Sequence, residues 1–141
     1  MIATDENRQV VERFFDQMLG QDRMEVFEEL VAPDYVFRAS HIPITMDRDG
    51  HRLFIQQLRM AFPDLTETVT AMVAEGDQVV TRVLTTGTHR AEFSGVPATG
   101  RPIRIESVNI DRVVDGRLRE RWLIADGLSL LQQIGAVPPL S

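Results

Sequence analysis

Asp126 stands where a strand-patterned run passes into a short apolar helical pattern, in the stretch Arg117–Gln133, RLRERWLIADGLSLLQQ. Strand side chains alternate with period two, so Leu118, Glu120, Trp122, Ile124 and Asp126 are expected on one face. Arg119, Arg121 and Leu123 are then expected on the other, partly solvated face. Leu128, Leu130, Leu131 and Ile134 follow at helical spacing, and Gly135 offers a stop. A carboxylate beside Trp122, the only Trp of the chain, suits general acid–base chemistry. Apolar surroundings disfavour the anion and raise a carboxyl pKa toward the working pH. Asp is equally a preferred N-cap, and Gly127–Gln133 is a helix that Asp126 could cap. The residue types admit both roles.

Other side chains could orient a substrate. Arg82, between Val80 and Leu84, is expected to point partly inward. There it would pair with Glu120 or Glu106, the preferred reading for a buried charge, or anchor an oxygen-rich ligand. Ser107 and Asn109 share one strand face and could line a pocket as hydrogen-bonding groups. Their strand carries Ile103 and Ile105 in one phase and Val108 and Ile110 in the other. A bulge or two covered faces would explain that, and the pattern leaves the inward face open. His89 could meet a substrate carbonyl at a pocket rim or be solvated or structural, and His41 and His51 are equally ambiguous. The three histidines are scattered without HxH or HxxxH spacing, so no metal site and no cofactor are expected. Asp47-Arg48-Asp49-Gly50 suggests calcium, but apolar Leu53, Phe54 and Ile55 interrupt the loop that ion needs, so it is read as a helix start.

These residues need a frame. Thr4 or Asp5 could cap a first helix carrying Val10, Val11, Phe14, Phe15 and Met18 as its apolar stripe, with Gly20 as its stop. A second helix carries Met24, Val26, Phe27, Leu30 and Val31, and Pro33 is expected to end it. Tyr35-Val36-Phe37 reads as a strand, and a third helix runs from near Asp49 to Phe62. From Leu65 the pattern turns to strands: Leu65–Glu75, Gln78–Thr88, Ile103–Val114 and the strand bearing Trp122. Asp115-Gly116 is the hairpin turn before that last strand. Helices followed by a meander make an α+β layout with the helices on one face of the sheet. The 141 residues suit a single domain, 1–141, with no linker or repeat.

A net charge of −6 disfavours nucleic acid as a partner. The absence of cysteine excludes disulfides, thiolate zinc sites and cysteine nucleophiles. No signal peptide or run long enough to span a membrane is seen, so no membrane partner and a cytoplasmic location are expected.

The runs PDYVF, FPDL, AEGDQVVTR, GTHRAEFSGVPATGRPI, DRVVDGRLRERW and ADGLSLLQQIG together resemble the SnoaL-like polyketide cyclase family, over nearly the whole chain. That family lies in the nuclear-transport-factor-two-like superfamily. The resemblance implies a cone-shaped, curved antiparallel sheet, with three N-terminal helices enclosing a mostly apolar pocket. It also implies cofactor-free intramolecular aldol-type ring closure of a polyketide ester, with one Asp, here Asp126, as general acid/base. A helper polar residue on the Ile103–Val114 strand, often a His in such cyclases, would be altered or missing, because no His follows His89. Trp122, Phe15, Met18 and Phe37 would form the apolar wall, with Asn109, Ser107, Arg82 and His89 orienting oxygens. The expected partners are a small apolar carbonyl-containing ligand and a second copy of the chain, docked through the open sheet face. The alternative is a non-catalytic small-ligand-binding or assembly module of the same fold. Asp126 separates the two: buried and uncapped favours catalysis, exposed and capping favours binding alone.

Overall fold

The computed structural model describes residues 2–139, with side chains from residue 4 onward. Helix α1, Ile2–Arg13, continues as a wider π-helical turn, Phe14–Gly20. Because α1 starts at Ile2, Thr4 and Asp5 sit inside its first turn rather than at its cap. Asp5 still meets the positive end of the helix there. A 3-10 turn, Met24–Val26, leads into the short α2, Phe27–Leu30, and strand β1 follows at once over Val31–Ala39. Pro33 therefore lies inside β1 instead of ending a helix. β1 is an edge strand, where a residue without an N–H is tolerated. Helix α3, Arg48–Ala61, begins at the acidic run as expected: the Gly50 N–H donates to the Asp47 carboxylate at 2.8 Å.

Strands β2 (Thr66–Glu75), β3 (Gln78–Thr88), β4 (Pro102–Val114) and β5 (Arg117–Ala125) form the meander, and α4, Gly127–Gln133, closes the order. The sheet order is β1-β5-β4-β3-β2, antiparallel except that β1 runs parallel to β5. The sheet is thus mixed and open. The β4–β5 turn places Asp115 at φ 53° and Gly116 at φ 76°, the left-handed pair that a two-residue hairpin requires.

The pleat decides which side chains face the helices. On β4 the inward residues are Ile103, Ile105, Ser107, Asn109, Asp111 and Val113, in unbroken alternation against β3. The apolar outer phase of Val108 and Ile110 reflects partial cover of the outer face, not a bulge. β5 departs from its sequence pattern. Val113 pairs with Leu118 and Arg112 with Glu120, leaving Arg119 as an extra residue. This bulge puts Leu118, Arg121, Leu123 and Ala125 inward and turns Glu120, Trp122 and Ile124 out. The expected facing of Arg121 and Trp122 is thereby reversed.

The main core packs Val11, Phe14, Phe27, Leu30, Tyr35 and Phe37 against Val79, Val83, Val113 and Leu118. A second cluster, Ala61, Phe62, Leu65, Ile103, Ile105 and Ile134, seals the end where α4 lies on β4. No described helix is long and apolar enough to cross a membrane.

Candidate active site

Between the helices and the concave face of the sheet lies an interior cavity of about 110 Å³. Its walls are mainly apolar, with Phe37, Phe54, Leu58, Phe62, Ile105 and Leu123 among them. The polar groups that reach it are His41 of the loop before α3, His51 of α3, Glu67 of β2, Thr85 of β3, Ser107 and Asn109 of β4, and Arg121 of β5. Residues from all five strands line this one space. His41, Phe54, Leu58 and Phe93 also border an outer space of about 690 Å³ between α3 and the loops near Pro43 and Ser94. The inner cavity thus opens into a larger vestibule.

A buried ion pair sits beside the cavity. The Arg121 Nε and Nη2 donate to the two Asp111 oxygens at 2.6 and 2.8 Å, and the residues are only 3% and 0% exposed. Asp111 and Arg121 are direct partners in the β4–β5 ladder, so strand register creates the bidentate geometry. Phe14 lies against the guanidinium, 4.2 Å from ring centroid to Cζ. The pair satisfies two charges that would each be costly alone, and it leaves Nη1 as the one guanidinium nitrogen not bonded to Asp111.

His51 occupies the next layer. Its ring stacks on Phe37 at 3.8 Å between centroids, and its Nδ1 is 2.9 Å from the Tyr35 hydroxyl. That hydroxyl is buried with no other partner among the described residues, and an orphaned buried O–H is costly. Tyr35 therefore donates to Nδ1, and the ring proton resides on Nε2. Desolvation, reinforced by the Arg121 cation, holds the His51 pKa well below its ordinary range, so the ring is neutral. Burial also pushes the Tyr35 hydroxyl far above its usual range, keeping it protonated.

Glu67 faces this cluster from β2. Its inward phase is shared by Val69, and after a register shift Met72 and Ala74 continue the inward row. Desolvation raises its carboxyl pKa above the ordinary glutamate value, against the pull of Arg121 and Arg59. It has no ion-pair or hydrogen-bond partner among the described residues, and neither does the Asn109 amide, although Asn109 is only 4% exposed. The arrangement brings a carboxyl reluctant to ionise, a neutral imidazole and a free amide to one apolar chamber. These are the parts for moving a proton on an uncharged carbonyl compound. No cluster of three or more His, Asp or Glu among the described residues is arranged to hold a metal ion.

Of the residues singled out in the sequence, Asn109, Ser107 and Phe37 meet at the cavity. Phe15 and Met18 are buried in the main core without bordering it. His89 is fully buried elsewhere, its Nδ1 2.9 Å from the Thr99 hydroxyl and its ring stacked on Phe62. Arg82 points outward, where its Nε donates to the Thr70 hydroxyl at 3.0 Å. Trp122 is 45% exposed on the same outer face, donating to Glu120, which also pairs with Arg38 at 2.9 Å. Asp126 is exposed and accepts the Ser129 N–H at 2.9 Å, the N-cap of α4. It borders a shallow outer hollow with Arg82 and Glu106, not the cavity. The physical reason is the same for Arg82, Trp122 and Asp126: each lies in the outward phase of its strand or just beyond it.

Sequence reasoning passed over Glu67, left His51 ambiguous and put Arg121 on the partly solvated face. The phase shared by Glu67 and Val69 was a usable signal for the first. The Arg121 position depends on the bulge at Arg119, which no residue type announces.

A family model described as SnoaL-like polyketide cyclase matches residues 9–134. Among solved structures, IdmH of Streptomyces antibioticus, a candidate polyketide cyclase, is 36% identical with a TM-score of 0.80, covering 92% of this chain and 98% of its own. A candidate SnoaL-like polyketide cyclase from Jannaschia sp. CCS1 is 26% identical with a TM-score of 0.90, covering 98% and 97%. AclR of Streptomyces galilaeus, a candidate hydroxylase, is 25% identical with a TM-score of 0.87, covering 98% and 86%. A comparison with proteins of curated function finds no match.

Proposed function

Because this chain belongs to the SnoaL-like polyketide cyclase family, we propose that it performs acid–base chemistry, without a cofactor, on a small apolar carbonyl compound such as a polyketide ester. The reaction would be an aldol-type ring closure within one molecule. The observation that carries this reading is the largely apolar cavity whose free polar groups, Glu67, Asn109 and neutral His51, converge without a second charged acid. An inner space of about 110 Å³ is small beside typical ligand sites of roughly 300–1,000 Å³. The reacting carbonyl end would enter it, with the rest of the substrate in the vestibule.

Aromatic β-keto esters that carry a further carbonyl placed for ring closure should yield a cyclised product of unchanged mass, or of that mass less one water, detected by mass spectrometry. Asp126→Ala should retain that turnover, since the cap lies outside the cavity, while losing about 1 kcal/mol of stability. Binding of the esters without any product would favour the second reading, a non-catalytic ligand-binding module. The exposed, capping position of Asp126 is the observation on that side.

A further inference from the structure

We propose that Glu67 is the general acid/base of this cavity, with His51 and the Asn109 amide receiving the oxygen on which charge develops. The inference rests on reading the cavity as an acid–base site and assigns that role within it.

The geometry argues for Glu67 from three sides. Among the described residues it is the one carboxylate that lines the cavity; Asp111 lies behind Arg121, both its oxygens engaged by the guanidinium. It stands on the inward phase of β2 beside its register partner Thr85, so a strand rather than a mobile loop aims it. No hydrogen bond from a described residue holds it, which leaves its oxygens open to a substrate proton. The charged and titratable groups facing it are Arg121 of β5, Arg59 and His51 of α3, His41 of the loop between β1 and α3, and behind them Asp111 of β4. Desolvation raises the Glu67 carboxyl above its ordinary value, and the two arginines pull it back toward the carboxylate form.

In the forward step the Glu67 carboxylate takes a proton from the carbon beside a substrate carbonyl. The C–H bonding pair becomes the enolate, whose oxygen accepts from His51 Nε2–H and the Asn109 amide. The enolate carbon then attacks a second carbonyl of the same molecule, forming the C–C bond. The resulting alkoxide recovers the proton from the Glu67 carboxyl. The product is an isomer of the substrate, and no oxidant or further reactant is consumed.

The test uses a probe that needs only a base in an apolar cavity, nitrobenzisoxazole. Removal of its C–H proton forms the nitrile as the N–O bond breaks, releasing a coloured cyanonitrophenolate. The full-length protein should accelerate this elimination, with a rate rising with pH through a midpoint above the ordinary glutamate value. Glu67→Gln should lower kcat by about a hundredfold or more while leaving KM near the wild type. Wild-type acceleration that survives in Glu67→Gln would overturn the assignment while keeping the acid–base reading. Failure of the probe to bind, judged by saturation-transfer NMR, would overturn the cavity reading and the assignment together. Should Glu67→Gln fail to fold, carboxyl-carbon NMR of assigned Glu67 in the wild type decides. A midpoint at or below the ordinary glutamate value would overturn the proposal.

Discussion

At the residue scale, the interior of this protein is unusual in the ionisable groups it buries and in how differently it treats them. Arg121 and Asp111 are charged because each completes the other, whereas His51 is kept neutral by Tyr35, Phe37 and the nearby Arg121 cation. The His51 contribution to stability has a definite sign. In the unfolded chain it gains a proton as pH falls below about 6.5, but in the folded state only well below that. The unfolded state therefore binds more protons in that window, and stability falls as pH drops through it. His41, at the cavity mouth, is shifted the same way by desolvation. Unfolding free energies from urea titrations between pH 7.5 and 5 should decline by up to about 1.4 kcal/mol per pH unit for such a group. His51→Gln, which keeps a carbonyl for the Tyr35 hydroxyl, should flatten the decline. An unchanged slope in that variant would refute the role given to His51.

At the scale of elements, one extra residue in β5 sets the chemistry of the concave face. Arg119 is taken up as a bulge, so the strand enters with Leu118 inward and continues with Arg121, Leu123 and Ala125 inward. Deleting Arg119 should straighten the strand and leave that inward set in place, because Leu118 and Arg121 would then differ by an even step. The readout is Trp122 fluorescence: emission should remain that of an exposed indole, and a strong blue shift would mean that the faces had exchanged. α3 and β2 carry the opposing groups. The first starts at a cap written plainly in Asp47 and Gly50, and the second bends at the register shift between Val69 and Ala71.

At the scale of the whole molecule, the convex side of the sheet is the complement of the cavity. Trp122 and Ile124 are 45% and 53% exposed there, beside the half-buried Val80, Leu84, Val108 and Ile110. We expect a second copy to dock on this face, which carries both Arg82 and Glu106 and so can match itself across a two-fold axis. Light scattering at micromolar concentration should return twice the chain mass, and Trp122→Arg should shift it toward the monomer. A monomeric wild type would remove the expectation. What the sequence by itself determined was the α+β order, the hairpin at Asp115-Gly116, the start of α3 and the family. These are local matters of backbone preference, capping and periodicity, together with the ordered motifs along the chain. The polar inventory of the cavity was decided by tertiary structure. Which face of a strand is inward depends on bulges and on pairing with neighbours, so a single extra residue moved Arg121 to the centre and Trp122 to the surface. The same dependence left Asp126 as a cap and brought Glu67, from a strand distant in sequence, to the place where the chemistry is proposed.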